Sequence, residues 1–374
     1  MKETISLREL AAVFFKLGVI GFGGPAAHIA MMQREVVEKR NWMDQQEFLD
    51  LIGITNLIPG PNSTELAIHI GYTARGWKGL LIAGLCFILP AVGITGTLAY
   101  FYTLYGKLPQ VELFIYGLKP AIIVIIGLLV YKLSVKLFTN IWLTILGISI
   151  FFLSLFGLSE LTLLITAAAI AATYHFIKKR KSTNLYSLVP FALLTSDSIN
   201  IKLFFTFLKI GSILYGSGYV LFSFIETELV SKGFLTTNQL IDAITVGQIT
   251  PGPVFSSVTF VGYQINGWPG AIYSTIAIFL PSFLFVILIK PLVHRLKNSD
   301  LFQLILKSVN VAAVALIATT CISLIKESIT DGPNLLIALI ILGIMLLHKN
   351  INTGLVLVIS MLLGFGIKLF SAFG

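Results

Sequence analysis

Apolar runs alternate with short polar connectors along the whole chain. They cover 10–32, 48–72, 79–102, 113–130, 141–156 and 161–177, then 203–224, 240–263, 270–289, 309–325, 335–347 and 353–370. An α-helix needs about 20 apolar residues to cross a bilayer, so the pattern predicts an all-α, polytopic membrane protein. Two runs in each half are interrupted. Gly21-Phe22-Gly23-Gly24-Pro25 and Pro59-Gly60-Pro61 break the first half; Tyr215-Gly216-Ser217-Gly218 and Pro251-Gly252-Pro253 break the second. Proline removes a backbone donor and glycine accepts conformations that end a helix. In hydrocarbon each unpaired backbone group costs several kcal/mol, so such breaks persist only where protein, water or a ligand satisfies them.

The breaks belong to an internal repeat with an offset of roughly 190 residues, the size of a transporter half rather than of a solenoid unit. Lys16-Leu17-Gly18 pairs with Lys209-Ile210-Gly211, and Phe22-Gly23 with Tyr215-Gly216. Asp50 pairs with Asp242, Asn56 with Gln248, and Pro59-Gly60-Pro61 with Pro251-Gly252-Pro253. After a one-residue slip, Gly71-Tyr72 pairs with Gly262-Tyr263, Gly76-Trp77 with Gly267-Trp268, and Leu89-Pro90 with Leu280-Pro281. The matches keep one order in both halves. The expected organisation is a first repeat over 1–181, closed by Lys178-Lys179-Arg180-Lys181, a linker over 182–202, and a second repeat over 203–374.

Basic residues mark cytoplasmic loops. In the first half they flank the Pro90 run at Arg75 and Lys78, thin out at Lys107 and Lys119, return at Lys132 and Lys136, and close the half at 178–181. In the second half the loop before the Pro281 run has no basic residue, and the loop after it has Lys290, His294, Arg295 and Lys297. Equivalent loops carry opposite marks, which predicts two repeats of inverted topology. Each half must then cross an odd number of times. The expected count is five crossings per half, with one broken segment re-entrant.

Composition narrows the function. The chain is 56% hydrophobic and 11% charged, against about 25% charged in a soluble domain. The net charge of +9 therefore reads as loop bias and not as nucleic-acid binding. Cys86 and Cys321 lie far apart in apolar runs as packing residues, and no Cys–His spacing suits a metal, so neither metal nor cofactor is expected. The first run has no small-residue cleavage site, so no cleavable signal peptide is expected.

Matched helix breaks in two repeats point to a substrate site. A helix N-terminus exposes free N–H groups and about half a positive charge, and several such ends aimed at one point suit a compact dianion. The expected binding set is Gly23, Gly24, Pro25, Asn56, Pro59, Gly60, Pro61, Ser63 and Thr64 with Gly216, Gln248, Pro251, Gly252 and Pro253. Lys16 and Lys209 join it, because lysines inside apolar runs beside a break are functional candidates; snorkelling to the interface is the competing reading. Glu65 and His69 lie one turn apart and could relay protons, as could His28; a bonded packing histidine is the plainer role. Arg34, Glu35 and Glu228 end the first broken segments and read as gates or as interfacial ion pairs. Asp50 and Asp242 read as coupling groups or buried helix-end groups.

The motifs Gly21-Phe22-Gly23-Gly24-Pro25-Ala26-Ala27-His28-Ile29 and Asn56-Leu57-Ile58-Pro59-Gly60-Pro61-Asn62-Ser63-Thr64-Glu65 resemble the first-domain motifs of chromate transporters. Gly247-Gln248-Ile249-Thr250-Pro251-Gly252-Pro253-Val254 and Phe279-Leu280-Pro281-Ser282-Phe283 resemble those of the second domain, so the likeness is to the long, two-domain form. The segment Tyr215-Gly216-Ser217-Gly218-Tyr219 departs from the family's phenylalanine and glycine run. The resemblance implies export of chromate through a prokaryotic cytoplasmic membrane, and chromate resistance. Sulfate has the same shape and charge, so the physiological anion stays open. Implied partners are the oxyanion, the bilayer and, in a homodimer, a second copy of the chain. Two other classes remain in view: an anion channel using the same breaks, and an intramembrane enzyme, for which Glu65 and His69 specify no reaction.

Overall fold

The computed structural model describes residues 5–22, 24–106, 109–179, 198–215, 218–289, 296, 299–348, 351 and 353–373. Most of these residues are helical, with no strand among them. The first half contains α1 (Leu7–Ile20), α2 (Gly24–Gln33) running into a π-helical turn (Arg34–Lys39), α3 (Gln45–Thr55), α4 (Asn62–Tyr105), α5 (Pro109–Leu137), α6 (Ile141–Leu155) and α7 (Glu160–Lys179). The second contains α8 (Ile199–Ile213), α9 (Val220–Ile225) with its own π turn (Glu226–Val230), α10 (Thr237–Ile249), α11 (Ser257–Ile289), α12 (Asp300–Ser328), α13 (Gly332–Leu347) and α14 (Thr353–Phe373). Helix starts follow local chemistry. Ser6, Asp44, Asn140 and Ser299 each accept a hydrogen bond from the backbone N–H three residues on, and Thr236 with Gln239 forms a reciprocal capping box.

Helix α4 has 44 residues, which would extend about 66 Å if straight, twice a bilayer core. It is not straight. Arg75 (φ −145°, ψ 26°) and Gly76 (φ 59°, ψ −147°) leave helical geometry and reverse the chain. Asn266 (φ −148°, ψ 38°) and Gly267 (φ 58°, ψ −151°) repeat that turn in α11. Thr259 Oγ1 and Thr275 Oγ1, 16 positions apart, lie within 2.7 Å, where a straight helix would separate them by about 24 Å. The arms touch backbone to backbone: a β-carbon on Gly71 would strike the Gly79 carbonyl, and one on Gly262 would strike that of Gly270. Gly71→Leu is therefore expected to cost at least about 3 kcal/mol through overpacking and to lower the thermal midpoint sharply. Gly93→Ala, which meets nothing within 4 Å, is the neutral control in the same melting experiment.

The other breaks also sit at reversals. Arg40 Nε lies 3.7 Å from Glu9 and Lys16 lies 3.2 Å from Glu35, so α2 and its π turn run back along α1. The start of α3 (Met43, Glu47) shares a cavity wall with the end of the short arm of α4 (Ile70, Thr73, Ala74, Arg75). Among the described residues each half thus has two helical hairpins tipped by its two breaks, followed by one long arm and three further helices. This differs from the expected one crossing and one fold-back. The turn at Arg75-Gly76 falls in the gap between the apolar runs 48–72 and 79–102, and that at Asn266-Gly267 in the gap between 240–263 and 270–289, as the pattern predicts.

The halves interlock. Helix α1 packs on α4, α8 on α11, and α4 on α11. First-half α6 and α7 pack on second-half α12, while α13 and α14 pack on α5. Gly117 and Gly364 meet backbone to backbone at that crossing. Tyr102, near the far end of the long arm of α4, donates to Asp242 near the start of α10, and Lys119 donates to Asn238 at 2.7 Å. Among the described residues, five helices are long and apolar enough to cross a membrane. Large apolar side chains such as Trp77, Ile141, Phe156, Ile177 and Leu347 face outward. Apolar surface on that scale marks a lipid-facing protein.

Candidate functional site

The four hairpin tips meet between the halves. Gly60 N–H donates to the Leu214 carbonyl at 2.7 Å, and Gly252 N–H donates to the Gly21 carbonyl at 2.7 Å. The bonds are reciprocal. The second tip of each half grips the first tip of the other. Gly60 (φ 135°) and Gly252 (φ 90°) hold backbone that only glycine adopts without strain. The tips approach the long arms just as closely: a β-carbon on Gly18 would strike the Phe87 carbonyl, and one on Gly211 that of Ile278. The central N–H groups of both Pro-Gly-Pro motifs are therefore committed to the seam.

Around the tips lies a buried polar layer. His28 Nε2 lies 2.8 Å from the Gly21 carbonyl and its Nδ1 lies 3.2 Å from Ser63 Oγ, with Phe87 edge-on to the ring. His28 thus joins the two first-half tips. Pro61 caps the short arm of α4, and Ser63, Thr64, Glu65 and His69 on that arm are all buried. Ser282 Oγ, from the second half, donates to Glu65 Oε1 at 3.4 Å. Tyr219 donates to Gln248 Oε1 at 2.9 Å, and Thr95 reaches Ser256 across the seam at 3.4 Å. Among the described residues, Thr64 Oγ1, Glu65 Oε2, Gln248 Nε2 and Asn310 Oδ1 are buried with no hydrogen-bond partner.

A cavity of about 310 Å³ opens beside the seam, lined by Asn56, Asn62, Tyr215, Asn310 and Lys136 among its polar residues. Asn62 Nδ2 donates to Asn56 Oδ1 at 2.9 Å across the first-half tip. Of the residues expected from sequence, Asn56 lines this cavity, and Pro59, Gly60, Pro61, Ser63, Thr64, Gln248, Pro251, Gly252 and Pro253 belong to the tips or their flanks. Gly24 (φ 78°) and Pro25 open α2. Gly23 and Gly216 lie outside the described residues. Asn310, Lys136, Asn62 and Ser282 were missed. Asn310 and Ser282 carry a readable signal, since each is a polar side chain inside an apolar run.

The two lysines sit elsewhere. Lys16 pairs with Glu35, which also takes Lys39 and Arg40; Lys209 pairs with Glu228, which also takes Lys232. Both are ion-paired clasps, each with more basic side chains than carboxylates, between a first helix and the π turn that returns beside it. Arg34 and Asp50 are exposed, and Asp242 is buried against Tyr102. Among the described residues no three His, Cys, Asp or Glu side chains gather as metal ligands.

A multi-pass helical fold, with two interlocked halves whose broken helices meet at a polar seam, has the build of a membrane transporter. The chain belongs to the chromate transporter family, whose model matches residues 8–173 and 201–365. It is 33% identical to a probable chromate transport protein of Synechococcus elongatus, over 96% of this chain and 95% of that one. It is 29% identical to a chromate transport protein of Cupriavidus metallidurans, over 96% and 93%. YwrB, an uncharacterized transporter of Bacillus subtilis, is 31% identical over 48% of this chain and 93% of its own length. None of the solved structures matches this one.

Proposed function

We propose that this protein is a secondary transporter that exports a tetrahedral dianion across a prokaryotic cytoplasmic membrane by alternating access. Chromate is the primary substrate and sulfate its near-isostere. The observation that carries this reading is the reciprocal seam, Gly60 to Leu214 and Gly252 to Gly21, set against a polar cavity. A relative that aligns along nearly the whole chain is named for chromate transport. The anion sits beside the tips, held by the amides of Asn56, Asn62 and Asn310 and the Tyr215 hydroxyl, with Lys136 at the mouth. The repeats, 1–181 and 203–374 joined by 182–202, rock about the seam.

The repeats are of inverted topology, which requires one crossing before α8 beyond the long arm of α4, α5, α6 and α7. Support comes from Tyr102–Asp242 and Lys119–Asn238, which tie the far end of the first long arm to the open end of the second half's hairpins. The open end of the first-half hairpins carries Lys39, Arg40, Arg75 and Lys78 beside Glu35, Glu38, Asp44 and Glu47, and that of the second half carries Glu226, Glu228 and Asp242 beside Lys209 and Lys232. Basic residues mark the cytoplasmic side. The membrane potential adds about 2.3 kcal/mol per charge per 100 mV in the outward direction.

Two experiments test this. Membrane-impermeant thiol labelling should reach Gln46→Cys only from the cytoplasm and Ser231→Cys only from outside; the same side for both ends the inverted reading. Labelled chromate and sulfate should enter inverted vesicles saturably and show counterflow. Ohmic current without counterflow would replace the transporter by a channel.

A further inference from the structure

Glu65 is a carboxyl group with no evident structural task. It is fully buried on the first turns of the short arm of α4. It folds back over its own hairpin tip, where a β-carbon on Gly60 would strike its Oε1. Its Oε1 receives one long hydrogen bond, 3.4 Å, from Ser282 of the other half. Its Oε2 has no partner among the described residues. No basic side chain forms an ion pair with it among those residues, whereas Glu35 and Glu228 are each surrounded by lysine or arginine. The titratable groups nearby are Tyr215 from the facing tip, His28 from α2 through Ser63, and His69 one turn along the same helix. Helix α11 presents the Ser282 hydroxyl. The repeat does not duplicate this arrangement: Val254-Phe255-Ser256-Ser257 follows Pro253 without a titratable side chain.

Burial without a cation already disfavours the ionised form of a carboxyl group, and a second negative charge nearby disfavours it further. The tip that Glu65 covers borders the cavity, since Asn56, Ile58 and Asn62 line it and Gly60 lies between them in sequence. Two charges inside protein interact by several kcal/mol at a few ångströms. A dianion entering the cavity thus strongly favours the neutral form of Glu65. Linkage makes the effect reciprocal: whatever raises proton affinity when the anion binds must raise anion affinity when the proton binds.

We infer that Glu65 is a proton-binding site coupled to the anion site, so that each dianion taken up beside the seam brings one proton onto this carboxyl group. This rests on the anion site proposed above. The proton is released when the anion leaves, so the two ions travel together. The second half lacks an equivalent carboxyl, so the stoichiometry is one proton per transport cycle.

The test uses the purified full-length protein and labelled sulfate, which stays a dianion through mildly acidic and mildly alkaline buffers. Wild-type affinity should rise as pH falls, by about tenfold per pH unit where Glu65 is ionised in the empty protein. A pH dye in weakly buffered solution should register uptake of one proton per sulfate bound. Glu65→Gln should bind at the acidic-limit affinity at every pH and take up no proton. Ser282→Ala removes the one donor that favours the ionised form, so it should move the profile to more alkaline pH without changing its slope. A flat wild-type profile with no dye response overturns the inference while leaving the anion site intact. A Glu65→Gln protein that keeps the slope, or an unmoved profile in Ser282→Ala, also overturns it. Absence of saturable binding of both sulfate and chromate to the wild type would instead remove the anion site itself.

Discussion

Alanine at Gly252 should reduce counterflow of labelled sulfate in proteoliposomes by more than about thirtyfold. Two costs combine. The residue holds φ 90°, where a side chain costs about 1–3 kcal/mol, and its new β-carbon would lie 2.8 Å from the Ala91 β-carbon. Ala91 is fixed on the long arm of α4 and cannot turn aside, so overpacking adds about 1–3 kcal/mol. The sum falls on the tip whose N–H bonds to Gly21, and loosening that bond unlinks one half from the other. Gly60→Ala should do less harm. Its φ of 135° is equally hostile, but the atoms its β-carbon meets belong to Glu65 and Ser282 side chains, and Glu65 can swing away. The expected order is wild type, then Gly60→Ala, then Gly252→Ala, in thermal midpoint; counterflow should fall in both, in Gly60→Ala because its β-carbon displaces Glu65. Near-normal counterflow in Gly252→Ala would show that the seam is not part of the moving machinery.

That asymmetry between two repeats of one motif also shows what sequence can reveal. The apolar runs, the paired Pro-Gly-Pro motifs and the slip before Gly71 and Gly262 are covalent facts, and they mark the tips correctly as the places where helices stop. The reversals inside α4 and α11 fall in the gaps between runs, at 73–78 and 264–269, although nothing there shows that each turn takes only two residues. A two-residue turn needs one glycine at positive φ, and Gly76 and Gly267 are two among 32 glycines. The clasps were legible in retrospect, because Lys16 with Glu35 and Lys209 with Glu228 repeat one spacing of 19 residues in both halves. That spacing has no helical meaning until the chain is known to double back at Gly21–Gly24. The cavity was the least legible part. Asn56 and Tyr215 lie at breaks, but Lys136 and Asn310 reach it from α5 and α12, helices that carry no motif. Only packing brings those four elements to one place.

The clasps give the second large effect, and the two halves should differ again. Lys209 and Glu228 are each only 15% exposed, so their pair is largely shielded from water. Lys209→Ala would leave Glu228 with Lys232 alone, a side chain 56% exposed. Stranding a mostly buried charge costs about 3–5 kcal/mol where nothing replaces the partner, and Lys232 should reduce this to about 2–4. Lys16 is 51% exposed, and its partner Glu35 keeps both Lys39 and Arg40 when Lys16 is removed. Lys16→Ala should therefore cost less than about 1 kcal/mol. Thermal melts in detergent should show Lys209→Ala well below wild type and Lys16→Ala close to it. The double variant Lys209→Met with Glu228→Gln should recover most of the loss, because removing both charges removes the desolvation penalty along with the attraction. Binding separates this from a direct role in holding the anion. A clasp predicts unchanged sulfate affinity in Lys16→Ala, whereas a lysine facing the anion predicts an affinity loss of tenfold or more without a change in melting. The second outcome would move the site from the seam towards the outer faces of α1 and α8.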